Sequence, residues 1–138
     1  MTNTPTAYGP TLDFLRLVKQ DMPADDGADF EDAKRGFIGT IEHAEVLRGG
    51  EGPFKGQVVW SHRPYGFLDA EESAPTVNPS LWRQACLNLN HGLYKVTDRI
   101  YQVRGFDIAN ITFIEGDTGL IALDALSCAD TADRKSVV

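Results

Sequence analysis

The side chains that stand out as candidates for chemistry are His43, His62, His91, Cys86, Cys128 and Asp124. The three histidines fall in separate stretches, with no H-x-H or H-x-x-x-H pair among them. A zinc site needs three or four converging ligands and commonly includes a close-spaced pair that fixes local geometry. None of the three therefore reads as a ligand, and His91 suits a helix end, where positive charge is favourable. Cys86 and Cys128 are too few and too far apart for a disulfide framework or a zinc knuckle. They read as reduced thiols, at least one of them in the core. No G-x-S-x-G elbow, Walker loop or G-x-G-x-x-G occurs. Asn110-Ile111-Thr112 fits the glycosylation tripeptide, but it falls in an expected strand and reads as a chance match.

Asp124 follows the apolar run Leu120-Ile121-Ala122-Leu123. Two readings stand side by side. It begins a loop or caps the next helix, or it sits where strand ends of layered α/β folds face an active site and braces catalytic groups there.

The elements that must position such residues are legible in part. Leu12, Leu15 and Val18 follow helical spacing after Thr11, the expected cap, and Met22-Pro23 ends that helix. Asp29 opens a short helical turn that Gly36 stops. "EVLRGGEGPFKG" is a loop and "QVVW" a short strand. Asn78 and Pro79 form a strong helix start, Leu81, Trp82, Ala85, Cys86 and Leu89 form one stripe, and Gly92 is the expected left-handed cap. That helix is expected to lay its Trp82 face on the sheet that follows. "LYKV", the turn "TD" and "RIYQVRGF" read as a hairpin. Ile111 and Phe113 share one face of the next strand, and "LIAL", apolar on both faces, reads as a strand covered on both sides. Ser127 or Asp130 is expected to start a last helix.

With 138 residues, 42% of them hydrophobic and 24% charged, the chain can bury a core. A net charge of -7, with no dense Lys/Arg cluster, argues against a nucleic-acid partner. No run approaches the length of a membrane span, and the first residues lack the pattern of a secretion signal, so the expected location is cytoplasmic.

The stretch "TVNPSLWRQACLNLNHGLYKVTDRIYQVRGFDIANITFIEGDTGLIALDAL" resembles the opening of the catalytic domain of linear primary alkylsulfatases, in the metallo-β-lactamase superfamily. "DFEDAKRGFIGTI" and "GQVVWSHRPYGFL" occur upstream in the same order. The resemblance implies an α+β fold, the incomplete start of an αββα sandwich, with residues 1–28 as an N-terminal helix and linker and 29–138 as the first part of the catalytic domain. It also implies hydrolysis of alkyl sulfate esters such as dodecyl sulfate by two zinc ions, with a dimer possible. Asp124 matches the acid that supports the metal-site loops without binding zinc. The family's zinc ligands begin at a T-H-x-H-x-D-H motif further on, which this sequence lacks, ending instead in "RKSVV". The expectation is a truncated form, inactive alone, with a periplasmic or secreted location open to an intact relative. The alternative is a non-enzymatic binding module that keeps the family's N-terminal half.

Overall fold

The computed structural model describes residues 6–23, 26–41, 45–70 and 72–135. Its centre is a five-stranded antiparallel sheet, formed by β1 (Phe37–Gly39), β4 (Gly92–Thr97), β5 (Ile100–Arg104), β6 (Ile111–Glu115) and β7 (Leu120–Leu123) in that order. β2 (Val46–Leu47) and β3 (Val58–Trp60) make a separate hairpin. The helices are α1 (Gly9–Asp21), α2 (Ala28–Lys34), α3 (Pro79–Asn88) and α4 (Ala129–Lys135), with a 3-10 turn at Arg63–Asp69. The fold class is α+β.

Sheet register divides the strands into two faces. Leu93, Val103 and Ile111 pair across β4, β5 and β6 on one face. There Val103 and Ile111 join Phe106, which is fully buried, with Ile41, Phe113 and Leu126 packed against them. Because side chains alternate along a strand, Tyr94, Gln102 and Thr112 share the opposite face.

α3 starts as its residues demand: the Asn78 carboxamide oxygen accepts from Ser80 N at 2.9 Å and Leu81 N at 3.4 Å, with Pro79 following. α1 begins earlier than Thr11, at Gly9, with Tyr8 at the cap and Pro10 in the first turn, where its missing N–H has no partner to lose. Its expected stripe of Leu12, Leu15 and Val18 is half-buried, while Phe14 and Leu17 face solvent. The hairpin turn falls on Asp98-Arg99, one residue later than "TD", because Thr97 still pairs with Ile100. The last helix starts at neither Ser127 nor Asp130 but at Ala129, where the Cys128 carbonyl accepts from Ala132 N.

Four expectations are corrected by packing. The Trp82 face of α3 meets the 3-10 turn, its ring 5.8 Å from Phe67, and α3 packs chiefly on α1, α2 and that turn rather than on the sheet. Leu81 leaves the stripe and is exposed. α3 closes at Leu89 in ordinary helical backbone, so Gly92 is no cap. It opens β4 at φ +140°, where an added Cβ would overlap the Gly39 carbonyl oxygen across the strand pair. The fourth correction concerns β7, whose four residues are all exposed. It is the outer strand, and no described element covers either face.

Two outcomes follow. Gly92→Ala, with positive φ and no room, is expected to cost roughly 2–3 kcal/mol in chemical denaturation, and a loss below about 1 kcal/mol would contradict the strand role. An open apolar edge favours association, so sedimentation of the wild-type chain should show self-association that Ile121→Lys suppresses; a monomeric wild type would refute this.

Candidate functional site at the strand–helix bend

Between β7 and α4 the backbone turns through two left-handed non-glycine residues, Asp124 at φ +59° and Leu126 at φ +77°. Aspartate tolerates this region because its short side chain can bond locally, as it does here: Asp124 Oδ1 accepts from Leu126 N at 3.2 Å. Leucine has no such compensation, and its conformation costs on the order of 1–2 kcal/mol. Surrounding structure must therefore hold it. The Leu126 side chain packs on Val103, Phe106 and Ile111, and the next residue is anchored by Asp107.

Asp107, 5% exposed, lies in the bend between β5 and β6. Its Oδ2 accepts from Ser127 N at 3.1 Å, Ser127 Oγ at 2.7 Å and Thr131 Oγ1 at 2.6 Å, while Oδ1 accepts from Ile108 N at 2.6 Å. Burial alone would raise this carboxyl. The bonds from Thr131, Ser127 and Ile108 outweigh it and hold the group at about 2, so it is a carboxylate at neutral pH. Nothing in the sequence singles it out, since an acid between two strands is ordinary loop chemistry; its partners are 20 and 24 residues away.

The same bend is gripped from its other side. The Gly105 carbonyl accepts from Trp60 Nε1 at 2.8 Å and from His62 Nε2 at 2.5 Å. A carbonyl only accepts, so His62 carries its proton on Nε2. α4 reaches back to the β2–β3 loop, where Asp130 Oδ1 accepts from Gly49 N at 2.9 Å and Oδ2 lies 3.4 Å from Arg48 Nε. The β5–β6 bend, α4 and the β2–β3 hairpin are thus joined pairwise by side-chain bonds, and the bend that carries Asp124 is tied to them through Ser127.

Of the residues singled out in the sequence, His43 lies outside the described residues. His62 and His91 come together, rings stacked at 4.3 Å, a contact their spacing did not disclose. His91 Nδ1 is 3.0 Å from the Leu89 carbonyl, consistent with its place at a helix end. Burial lowers the His62 imidazole below its ordinary 6.5; the Gly105 bond opposes this and neighbouring His91 adds to it. Cys86 and Cys128 are free and half-buried, and Cys128 Sγ lies 3.4 Å from Thr131 Oγ1. Asp124 is exposed and accepts a local bond from Leu126 N. Among the described residues no three His, Cys, Asp or Glu side chains converge, and His62 and His91 each spend a ring N–H on a carbonyl. These residues do not by themselves fit a zinc ion.

Asp107→Asn turns an amide N–H₂ toward donors and should destabilise the chain by about 1–3 kcal/mol. Because the folded carboxyl titrates below its ordinary 3.8, the stability it contributes is complete above 3.8 and is lost as pH falls through about 2. The gap between wild type and variant should shrink over that window; a gap constant with pH would remove the carboxylate from the account. For His62 the lowered value means stability is complete above 6.5 and falls as pH drops through the folded value. His62→Gln should flatten that limb in pH-dependent melting, and an unchanged limb would assign it elsewhere.

No family model matches the chain. Individual proteins do. The alkyl/aryl-sulfatase BDS1 of Saccharomyces cerevisiae is 52% identical over 117 residues, 85% of this chain and 17% of that protein. A linear primary-alkylsulfatase from Pseudomonas sp. is 43% identical over 114 residues, 82% of this chain and 16% of its own length. The solved structure of Pisa1, described as a stereoselective inverting sec-alkylsulfatase from Pseudomonas sp., superposes with a TM-score of 0.82 at 42% identity. That match covers 98% of this chain and 20% of the other. The chain therefore spans about one sixth to one fifth of the length of the relatives it matches. By sequence and by fold, this chain is homologous to a segment of proteins named alkylsulfatases.

Proposed function

We propose that the chain serves alkyl sulfate ester hydrolysis as one segment of a metallo-β-lactamase-type catalytic domain, contributing the sheet and the bend that presents Asp124. The observation that carries this reading is the identity of 43–52% to proteins named alkylsulfatases, spread over more than four fifths of the chain. The geometry is compatible with it. Asp124 stands at a strand end, in a left-handed bend held by the packing of Leu126 and by the Asp107 anchor, and its carboxylate is exposed rather than consumed by the core. A carboxylate held in this way suits a bracing role toward loops that carry metal ligands. In this reading the two zinc ions are held by residues outside the described ones. The 138 residues alone then bind no stoichiometric zinc and turn over no dodecyl sulfate.

The exposed β7 edge favours a second reading, a binding module that pairs with another chain through that strand. The two separate in a chimera. When this sequence replaces the matched segment of the yeast relative, hydrolysis of dodecyl sulfate should persist, and Asp124→Ala within the chimera should lower activity or zinc content by about 10- to 100-fold. A folded chimera without activity, or full activity and zinc content with Asp124→Ala, would contradict the bracing role.

A further inference from the structure

Two histidines outside the bend that carries Asp124 meet face to face. The His62 and His91 rings stack with centroids 4.3 Å apart and planes 26° from parallel. They come from different elements: His62 leads into the 3-10 turn, and His91 lies in the short link between α3 and β4. Each commits one ring nitrogen as a donor. His62 Nε2 donates to the Gly105 carbonyl at 2.5 Å, and His91 Nδ1 to the Leu89 carbonyl at 3.0 Å. The nitrogens left over, His62 Nδ1 and His91 Nε2, are the ones that can take a further proton. Such a proton breaks neither carbonyl bond. What it changes is the charge between the rings.

No carboxylate of the described residues stands ready to balance two charges there. Across the cavity Asp29 of α2 pairs with Arg83 of α3 at 2.7 Å. Beside β2, Glu45 pairs with Arg63 at 3.3 Å and accepts from Ser61 Oγ. In the β5–β6 bend Asp107 turns its oxygens to Ser127, Thr131 and Ile108, and Asp69 lies exposed at the far end of the 3-10 turn. Burial keeps the Tyr94 phenol of β4 above its ordinary 10.0, so it supplies no negative charge. The remaining neighbours are cations: Arg104 lines the cavity with His62, and Lys34 of α2 lines a second hollow with His91. Two imidazolium rings stacked in this setting repel each other.

The rings are not equally free to respond. A Cβ added to Gly105 would fall 2.5 Å from His91 Cβ, and the His91 ring meets the fully buried Phe106 edge-on. His91 is therefore fixed. His62 heads a turn in which Arg63, Pro64, Tyr65, Gly66 and Phe67 are all exposed. If His62 leaves, the Gly105 carbonyl keeps a donor, because Trp60 Nε1 bonds it at 2.8 Å.

We infer that His62 and His91 form a pH-operated clasp: one proton on the pair leaves the 3-10 turn fastened to the Gly105 carbonyl, and a second drives His62 off it. The same turn carries Tyr65 and the buried Leu68, which with His62 wall a cavity of about 610 Å³. The clasp thus closes that wall near neutral pH and loosens it on acidification. The sign agrees with the titration of His62, which burial lowers from 6.5 and His91 lowers further, against the Gly105 bond.

The test follows the 138-residue chain by NMR as pH falls below 6.5. The ring carbon–proton signals of His62 and His91 report protonation, and a nuclear Overhauser contact between the His62 and Trp60 rings, 6.3 Å apart, reports the closed clasp. The amide of Val103, in the middle of β5, is the control for unfolding. In the wild type the His62–Trp60 contact should vanish with the second proton taken by the pair while Val103 stays unmoved. His91→Gln should raise the His62 midpoint by roughly half a unit or more and preserve the contact after His62 is charged. If that variant does not fold, the wild-type curves decide: loss of the contact with the second proton supports the clasp, and loss with the first overturns it. A contact that survives with both rings charged, an unchanged His62 midpoint in His91→Gln, or a Val103 signal lost together with the contact also overturns it. None of these readouts depends on hydrolysis.

Discussion

The carboxylate of Asp107 is the constraint on which the β7–α4 end of this chain depends. Left-handed backbone at Asp124 and Leu126 is unfavourable, and neither residue is glycine. One buried acid resolves the difficulty by accepting from Ser127, at the foot of the bend, and from Thr131, one turn into α4. Charge-assisted bonds of this kind are stronger than neutral ones, and a buried carboxylate left short of donors would be costly. The result is a strand end whose exit direction is set by a group on a different hairpin, not by the local sequence.

That anchor is itself held. Phe106, between Gly105 and Asp107, has no exposed surface and joins Val103 and Ile111 in the core. Trp60 and His62 bond to the Gly105 carbonyl from the β2–β3 side, and His91 stacks on His62 while meeting Phe106 edge-on at 5.7 Å. A bend fixed by packing at its middle residue and by hydrogen bonds at both neighbours has little freedom to drift. The bracing role proposed for the Asp124 carboxylate would demand such a support.

Much of this architecture was legible from the residues, and what was not has a physical reason. Local signals held: Asn78-Pro79 start α3, and period-two patterning gives the central hairpin and the shared face of Ile111 and Phe113. Signals that depend on distant partners did not. Gly92 carries the backbone freedom expected of a helix cap, but the close approach of β1 uses it in a strand instead. "LIAL" has the composition of a covered strand, yet composition records what a strand tolerates, not what lies over it. Asp124 was singled out by position, whereas Asp107, which holds the bend, was not: its donors from Ser127 and Thr131 come together only after the hairpin and α4 are in place. The histidine pair was hidden for the same reason, since residues 62 and 91 meet only through tertiary packing.

The central claim, that an ionised Asp107 bonded to Ser127 and Thr131 fixes the bend, is tested most directly by following its side-chain carboxyl carbon in a ¹³C NMR pH titration. The account predicts a midpoint at about 2, well below the ordinary 3.8. A midpoint at or above 3.8 would mean that the donors do not converge on this carboxylate, and that something else holds the bend.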